Sequence, residues 1–436
     1  MTALEKLGAF VANHIPNEPA CAEARLHAAD AIGGWIAATA TEEGKRLLAF
    51  RQPGAALPDR IAINCALARL SEIDDIHLGA MVTPGAIVVP AALTIAAAMP
   101  DLEKDEVAAA IIGGYEAMIR FGAAIDGPSV LYRGIWPTYI AAPFGVAAVA
   151  ARLMRLSTEQ TANALSLALI TASPGTGHHA APTTARWLAV GYAAARGLQA
   201  AIAAGAGFTS DVKIADGDFL KNIYGVTPNV ALLTGGWDTL ALSQTSFKPW
   251  CAARQTMAAT QALKELLADG IEVESIVRIG VAVLPPHQKM IDHGVTMGDR
   301  FSLLTSVQYQ MAVAALMPDL AYGLTAPAGP TSPDLLFFME RIKVRAEESL
   351  MTAGYPQAWP AHVTVTTRAK RHERSVMHVP GDPGRPFGED ALMGKFSRIA
   401  ARALKGQSAE TVFAAALGGI DNPAGIIGEI EKLAVA

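Results

Sequence analysis

At 436 residues the chain is longer than a single hydrophobic core ordinarily serves, so two domains are expected. It is 51% hydrophobic and only 17% charged, which points to a large helical interior and to surface buried against another subunit. The 35 basic and 40 acidic residues give a formal net charge of -5, and no basic run in the sequence suggests nucleic acid as a partner.

The opening "MTALEKLGAFVANHIP" carries Glu5 and Lys6 and lacks a continuous apolar run, so no signal peptide is expected. Cys21, Cys65 and Cys251 are too scattered for a disulfide framework or a cysteine-based zinc site, and a reducing cytoplasm suits them. Apolar residues then recur at three- and four-residue spacing in Ala-rich stretches, predicting helices over 24–40, 104–125, 158–173 and 185–208. "STEQ" at 157–160 reads as a capping box, and "GAGF" at 205–208 as a glycine stop. Residues 76–100 and 134–151 contain no Asp, Glu, Lys or Arg and are long enough to mimic membrane spans. Their prolines and Ala/Gly content assign them instead to close helix packing, so no membrane is expected.

From about 271 the period shortens toward two. "IEVESIVRIGVAV", "FFMERIKVRAEES" and "HVTVTTRAKRHERSVMHVP" read as strands, with a helix at "SVQYQMAVAALM" between them. After "PGDPGRPF" helical texture returns. The expected fold is mainly α: a large all-helical domain, 1–265 plus 395–436, with a smaller α+β lid domain inserted at 266–394. "GGYEAMIRFG" and "GTGHHAAP" are not flanked as dinucleotide-binding loops are, and adjacent His178 and His179 diverge on any helix; neither a cofactor nor a metal is expected.

Six segments in order resemble the MmgE/PrpD family: "LSEIDDIHLGAMVTPGAIVVPAAL", "GIWPTYIAAPFGVAAVAARLM", "GYAAARGLQAAIAAGAGFTSD", "FKPWCAARQTMAATQAL", "FSLLTSVQYQMAVAAL" and "PGDPGRPFGEDALMGKF". The resemblance implies a helical domain with a lid, a dimer, and a site acting on polycarboxylates without an obligatory cofactor. It also exposes departures. Where the family typically carries a histidine, this chain has Thr83 before Pro84, Trp136 before Pro137, Ala189 after Arg186, and Met257 after the Lys248-Pro249 pair.

Polar residues nevertheless remain in or beside those segments. Proton abstraction next to a carboxylate needs a base, cations to hold acid groups, and a proton donor. Lys248, His77, Asp75 and His178 are the candidate catalytic residues. Asp74, Thr83, Trp136, Tyr139, His179, Arg186, Arg254, Met257 and Tyr309 are the candidate substrate-binding residues, guanidinium forks being matched to carboxylates. Each has a structural alternative: Asp74 and Asp75 cap a helix, His77 is an interior histidine, Arg254 bridges elements, and Trp136, Met257 and Tyr309 fill space. The expected activity is a cofactor-independent lyase working on a small di- or tricarboxylic acid, with an epimerase or a catalytically silent binding protein as alternatives. A homodimer is the expected assembly.

Overall fold

In a computed structural model, which describes residues 1–435 apart from 53, 100, 104, 173–182 and 325–331, the Ala-rich stretches are helices: Glu18–Thr39, Glu106–Ala124, Thr158–Thr171 and Ala185–Gly205. The capping box is present at Ser157, whose Oγ accepts the Gln160 amide at 3.2 Å while the Gln160 side chain accepts the Ser157 amide at 3.0 Å. Gly207, just past the end of Ala185–Gly205, takes φ 93°, as a glycine stop requires.

Two compact units result. The first draws on the described residues of 1–179, 184–247 and 388–436, and the second on Thr183 and the described residues of 248–387. In the first, Pro137–Leu153 is surrounded by Ala185–Gly205, Glu106–Ala124, Thr158–Thr171 and Gly85–Ala96. Both charge-free stretches thus contain buried helices, Gly85–Ala96 and Pro137–Leu153, with Pro90 and Pro143 inside them. Among the described residues one helix, Glu106–Ala124, is long and apolar enough to cross a membrane, and 94% of its apolar window is buried inside the protein. Backbones approach closely because side chains are small. A Cβ on Gly197 would stand 2.3 Å from the Pro143 carbonyl oxygen. The C-terminal helices Glu389–Ala400 and Ala409–Leu417 pack on Glu18–Thr39.

The second unit holds strands β1 (Ile276–Val283), β2 (Ile342–Ala346), β3 (Ala361–Thr367) and β4 (Arg371–Val376) in the order β2-β1-β3-β4, with β1 and β2 parallel and the other pairs antiparallel. Ile279, Val281, Val283, Val363 and Val365 turn one face into an apolar core shared with the helices Arg254–Ala268 and Val307–Leu316. Two expectations need correction. Residues 337–340 end a helix, Pro333–Glu340, capped by Ser332, and the strand begins only at Ile342. Helix Arg254–Ala268 belongs to the second unit, so the change of unit falls after Phe247 rather than near 265, and the return comes at Gly388. A helix laid on a sheet has the same 3.6 period as one in a bundle, so texture alone cannot separate them. The fold is mainly α, with a smaller α+β C-terminal region.

Candidate functional site

The segment joining helix Leu57–Leu70 to helix Gly85–Ala96 is almost wholly buried although it is rich in polar residues. Its path requires two left-handed non-glycine residues, Glu72 at φ 53° and Met81 at φ 55°. Such conformations cost about 1–3 kcal/mol each and persist where surrounding contacts fix them. The amides of Ile76 and His77 are taken up by the carbonyls of Ser246 and Val82 at 2.9 Å each.

Asp75 is the centre of this segment. Its Oδ1 accepts the Gly85 amide at 2.8 Å, capping the following helix; Oδ2 accepts the Tyr115 hydroxyl at 2.6 Å and sits 2.7 Å from His27 Nδ1. A Cβ at Gly85 would lie 2.7 Å from Asp75 Oδ1 and 2.8 Å from the Tyr115 hydroxyl, so glycine is required for the carboxylate to reach the helix end. An ionised carboxylate only accepts, which places the His27 proton on Nδ1 and leaves Nε2 as the lone-pair nitrogen of the neutral ring. Nε2 has no hydrogen bond among the described residues. The ring is held by Phe247, stacked at 4.3 Å, and by the edge of Tyr115 at 5.4 Å. Burial and the neighbouring Asp75 charge push the Tyr115 hydroxyl well above its usual range, keeping it a donor.

One turn along the same helix, Asp30 meets Lys395 Nζ at 2.5 Å, and that ammonium also donates to the Ile73 carbonyl at 3.1 Å. Burial raises the Asp30 carboxyl, and the Asp75 charge adds to the rise. Asp30 Oδ2 has no hydrogen-bond partner among the described residues. Aspartate, histidine, tyrosine and lysine are thereby gathered in one buried network, of which the sequence reading found only Asp75. His27 and Asp30 are a buried polar pair spaced three apart among the buried alanines and isoleucines of helix Glu18–Thr39.

Asp74 faces a second cluster. Arg69 contacts Glu72 at 2.7 Å and Asp74 at 3.2 Å; Glu72 in turn receives Arg186 at 3.1 Å and the Trp187 indole at 3.3 Å. The Arg186 guanidinium lies 3.6 Å from the Trp136 ring centroid, and the Tyr139 hydroxyl donates to the Arg186 carbonyl at 2.5 Å. Two guanidiniums and two carboxylates balance here. The charge expected to hold substrate is therefore already matched within the protein. Thr83 pairs with Thr138, its amide and hydroxyl lying 3.2 and 3.3 Å from the Thr138 hydroxyl.

His77 is occupied differently. Its Nδ1 accepts the Ala80 amide at 3.1 Å, closing the turn, and burial together with the Arg120 charge pushes its pKa down to about 4. A neutral imidazole with Nδ1 engaged carries its proton on Nε2, so the ring is a donor and a weak base.

Four expected residues lie in the second unit. Lys248 is 3% exposed. Arg254, 1% exposed, grips both oxygens of Asp382 at 2.7 and 2.5 Å, while its Nε and Nη1 have no hydrogen-bond partner among the described residues. Met257 and Tyr309 sit in the apolar core of that unit. His178 and His179 lie outside the described residues. Among the described residues no three His, Cys, Asp or Glu side chains are grouped so as to hold a metal ion.

A mainly helical chain with a small α+β region and a buried histidine-carboxylate-tyrosine set has the parts of an acid-base enzyme. Two family profiles match it: the MmgE/PrpD N-terminal domain over residues 5–222 and the MmgE/PrpD C-terminal domain over residues 250–418. The chain belongs to the MmgE/PrpD family. That family includes dehydratases and related lyases acting on carboxylates, and the protein is an enzyme of that broad kind. No curated protein matches the chain significantly.

Proposed function

We propose that the protein is a cofactor-independent lyase, of the dehydratase or decarboxylase kind, that removes a proton next to a carboxylate of a small di- or tricarboxylic acid. The observation that carries this reading is the contact of His27 Nδ1 with Asp75 on a scaffold of this family. The carboxylate fixes the tautomer and stabilises the imidazolium that forms when Nε2 takes the proton. The Tyr115 hydroxyl and the Gly85 amide hold Asp75 in place. Lys248 and Arg254, the other candidates from sequence, belong to the second unit. His77, a candidate base alongside Lys248 from sequence, becomes a turn-holding donor in this scheme.

The test follows deuterium uptake from solvent into a panel of di- and tricarboxylates. His27→Gln and Asp75→Asn should each slow exchange by about a hundredfold or more with the fold intact by circular dichroism, and Lys248→Met should reduce turnover. Exchange undiminished in His27→Gln removes this residue from the chemistry. An epimerase would exchange without eliminating, and a silent binding protein would do neither, so the same assay separates the alternatives.

A further inference from the structure

The sheet of the second unit has a second face. The register sets Lys343, Gly280, Thr364 and Glu373 in one row, Arg345, Ala282, His362 and Ser375 in the next, and Arg278, Thr366 and Arg371 in a third. All of them alternate with the core-facing valines and isoleucines, so they share the face opposite the apolar core. All but Glu373 and Ser375 line a groove of about 420 Å³, with the small residues Gly280 and Ala282 among its lining.

Its charge is unusual for an acidic protein. Arg345 is paired with Glu347, and Arg371 with Glu373 at 2.5 Å. Arg278 and Lys343 have no ion pair among the described residues, so two cations remain in excess on a chain of net charge -5. Lysine and arginine on the edge strands β2 and β4 are explained by protection against edge-to-edge pairing. Arg278 is on the inner strand β1, paired with Thr366 of β3 and one residue before the ladder with β2 begins at Ile279, so it is not a cation of an edge strand. Threonine hydroxyls beside it supply neutral donors. The volume lies within the range of small-molecule sites, and opposite charge focused in a concave surface concentrates an anion.

From this geometry we infer a binding site for a small polyanion, a molecule carrying two or more clustered carboxylate or phosphate groups, held by Arg278 and Lys343 beside Gly280 with Arg345, Arg371 and the Thr364 and Thr366 hydroxyls at its margin. None of these residues belongs to the set proposed for proton transfer. An occupant of this kind makes the second unit a sensor of anionic metabolites.

Calorimetric titration of the full chain with inorganic pyrophosphate and with citrate, at fixed ionic strength set by sodium chloride, tests the site. Saturable binding of either probe is expected, weakened tenfold or more in Arg278→Gln/Lys343→Gln and unaltered in Asp75→Asn. Pyrophosphate alone would mark a phosphate-bearing ligand and citrate alone a polycarboxylate. The double variant should keep the wild-type melting temperature without ligand and the wild-type exchange activity. Binding equal in the double variant overturns the proposal, as does absence of saturation by both probes. A single-stranded RNA oligomer that binds this face where both small probes fail, or self-association lost in the double variant without any probe binding, would also overturn it.

Discussion

His77 and Asp75 are two residues apart, yet their surroundings send them to opposite tasks. The His77 ring is favoured neutral, its pKa pushed down to about 4, and His287 in the second unit is pushed to about 3 by burial and by Arg254. Both lie below the unfolded value near 6.5, so the unfolded chain binds more protons in the window between. Their contribution to stability is whole above pH 6.5 and is lost as pH falls toward 4 and 3. The melting temperature should therefore drop through that window, and His77→Gln and His287→Gln should each show a smaller drop between pH 6.5 and 4.5 than wild type. The Asp30-Lys395 pair makes a different demand. Lys395→Met leaves a buried carboxylate that must take up a proton, and should cost about 3–5 kcal/mol in urea unfolding. Asp30→Asn/Lys395→Met should lose far less than the sum of the single changes, because neither leaves a charge behind.

At the scale of elements, helix contacts are set by what is absent from them. Gly197→Ala supplies the better helix former, worth about 1 kcal/mol, but forces the new methyl into the Pro143 carbonyl and the Val146 side chain. Overpacking of that kind costs about 1–3 kcal/mol, so a net loss is expected; a raised denaturation midpoint would show that these helices have room to part. The helices, the strand texture of the second unit and the Ser157 cap were legible because period and capping are local signals. The segment 337–340 was not, since short apolar runs fit helix or strand equally and only the Ser332 cap decides. The candidate site was legible at Asp75 and not at His27, Tyr115 or Lys395, which reach the same region from three distant helices. The basic sheet face was invisible for the same reason: its cations come from three separate strands, β1, β2 and β4, and meet only through register.

For the whole molecule, we propose a homodimer burying more than about 2,000 Å², as obligate interfaces do. Helices Thr158–Thr171 and Ala185–Gly205, with the turn that follows, leave Ile170 49%, Tyr192 45%, Ile202 46% and Phe208 66% exposed. Light scattering at micromolar concentration should give twice the chain mass, and Ile170→Glu/Tyr192→Glu should shift it toward one; a monomeric wild type would end this reading. The contact between Asp30 and Lys395 spans 365 residues of chain. During synthesis at roughly 5–20 residues per second, the second helix waits tens of seconds for the cation that stabilises its carboxylate, while the entire second unit is made in the interval. The first unit therefore cannot close its interior as it leaves the ribosome. Its final helices act as a late latch, and a nascent chain stalled before Gly388 would present the Glu18–Thr39 helix uncovered to chaperones.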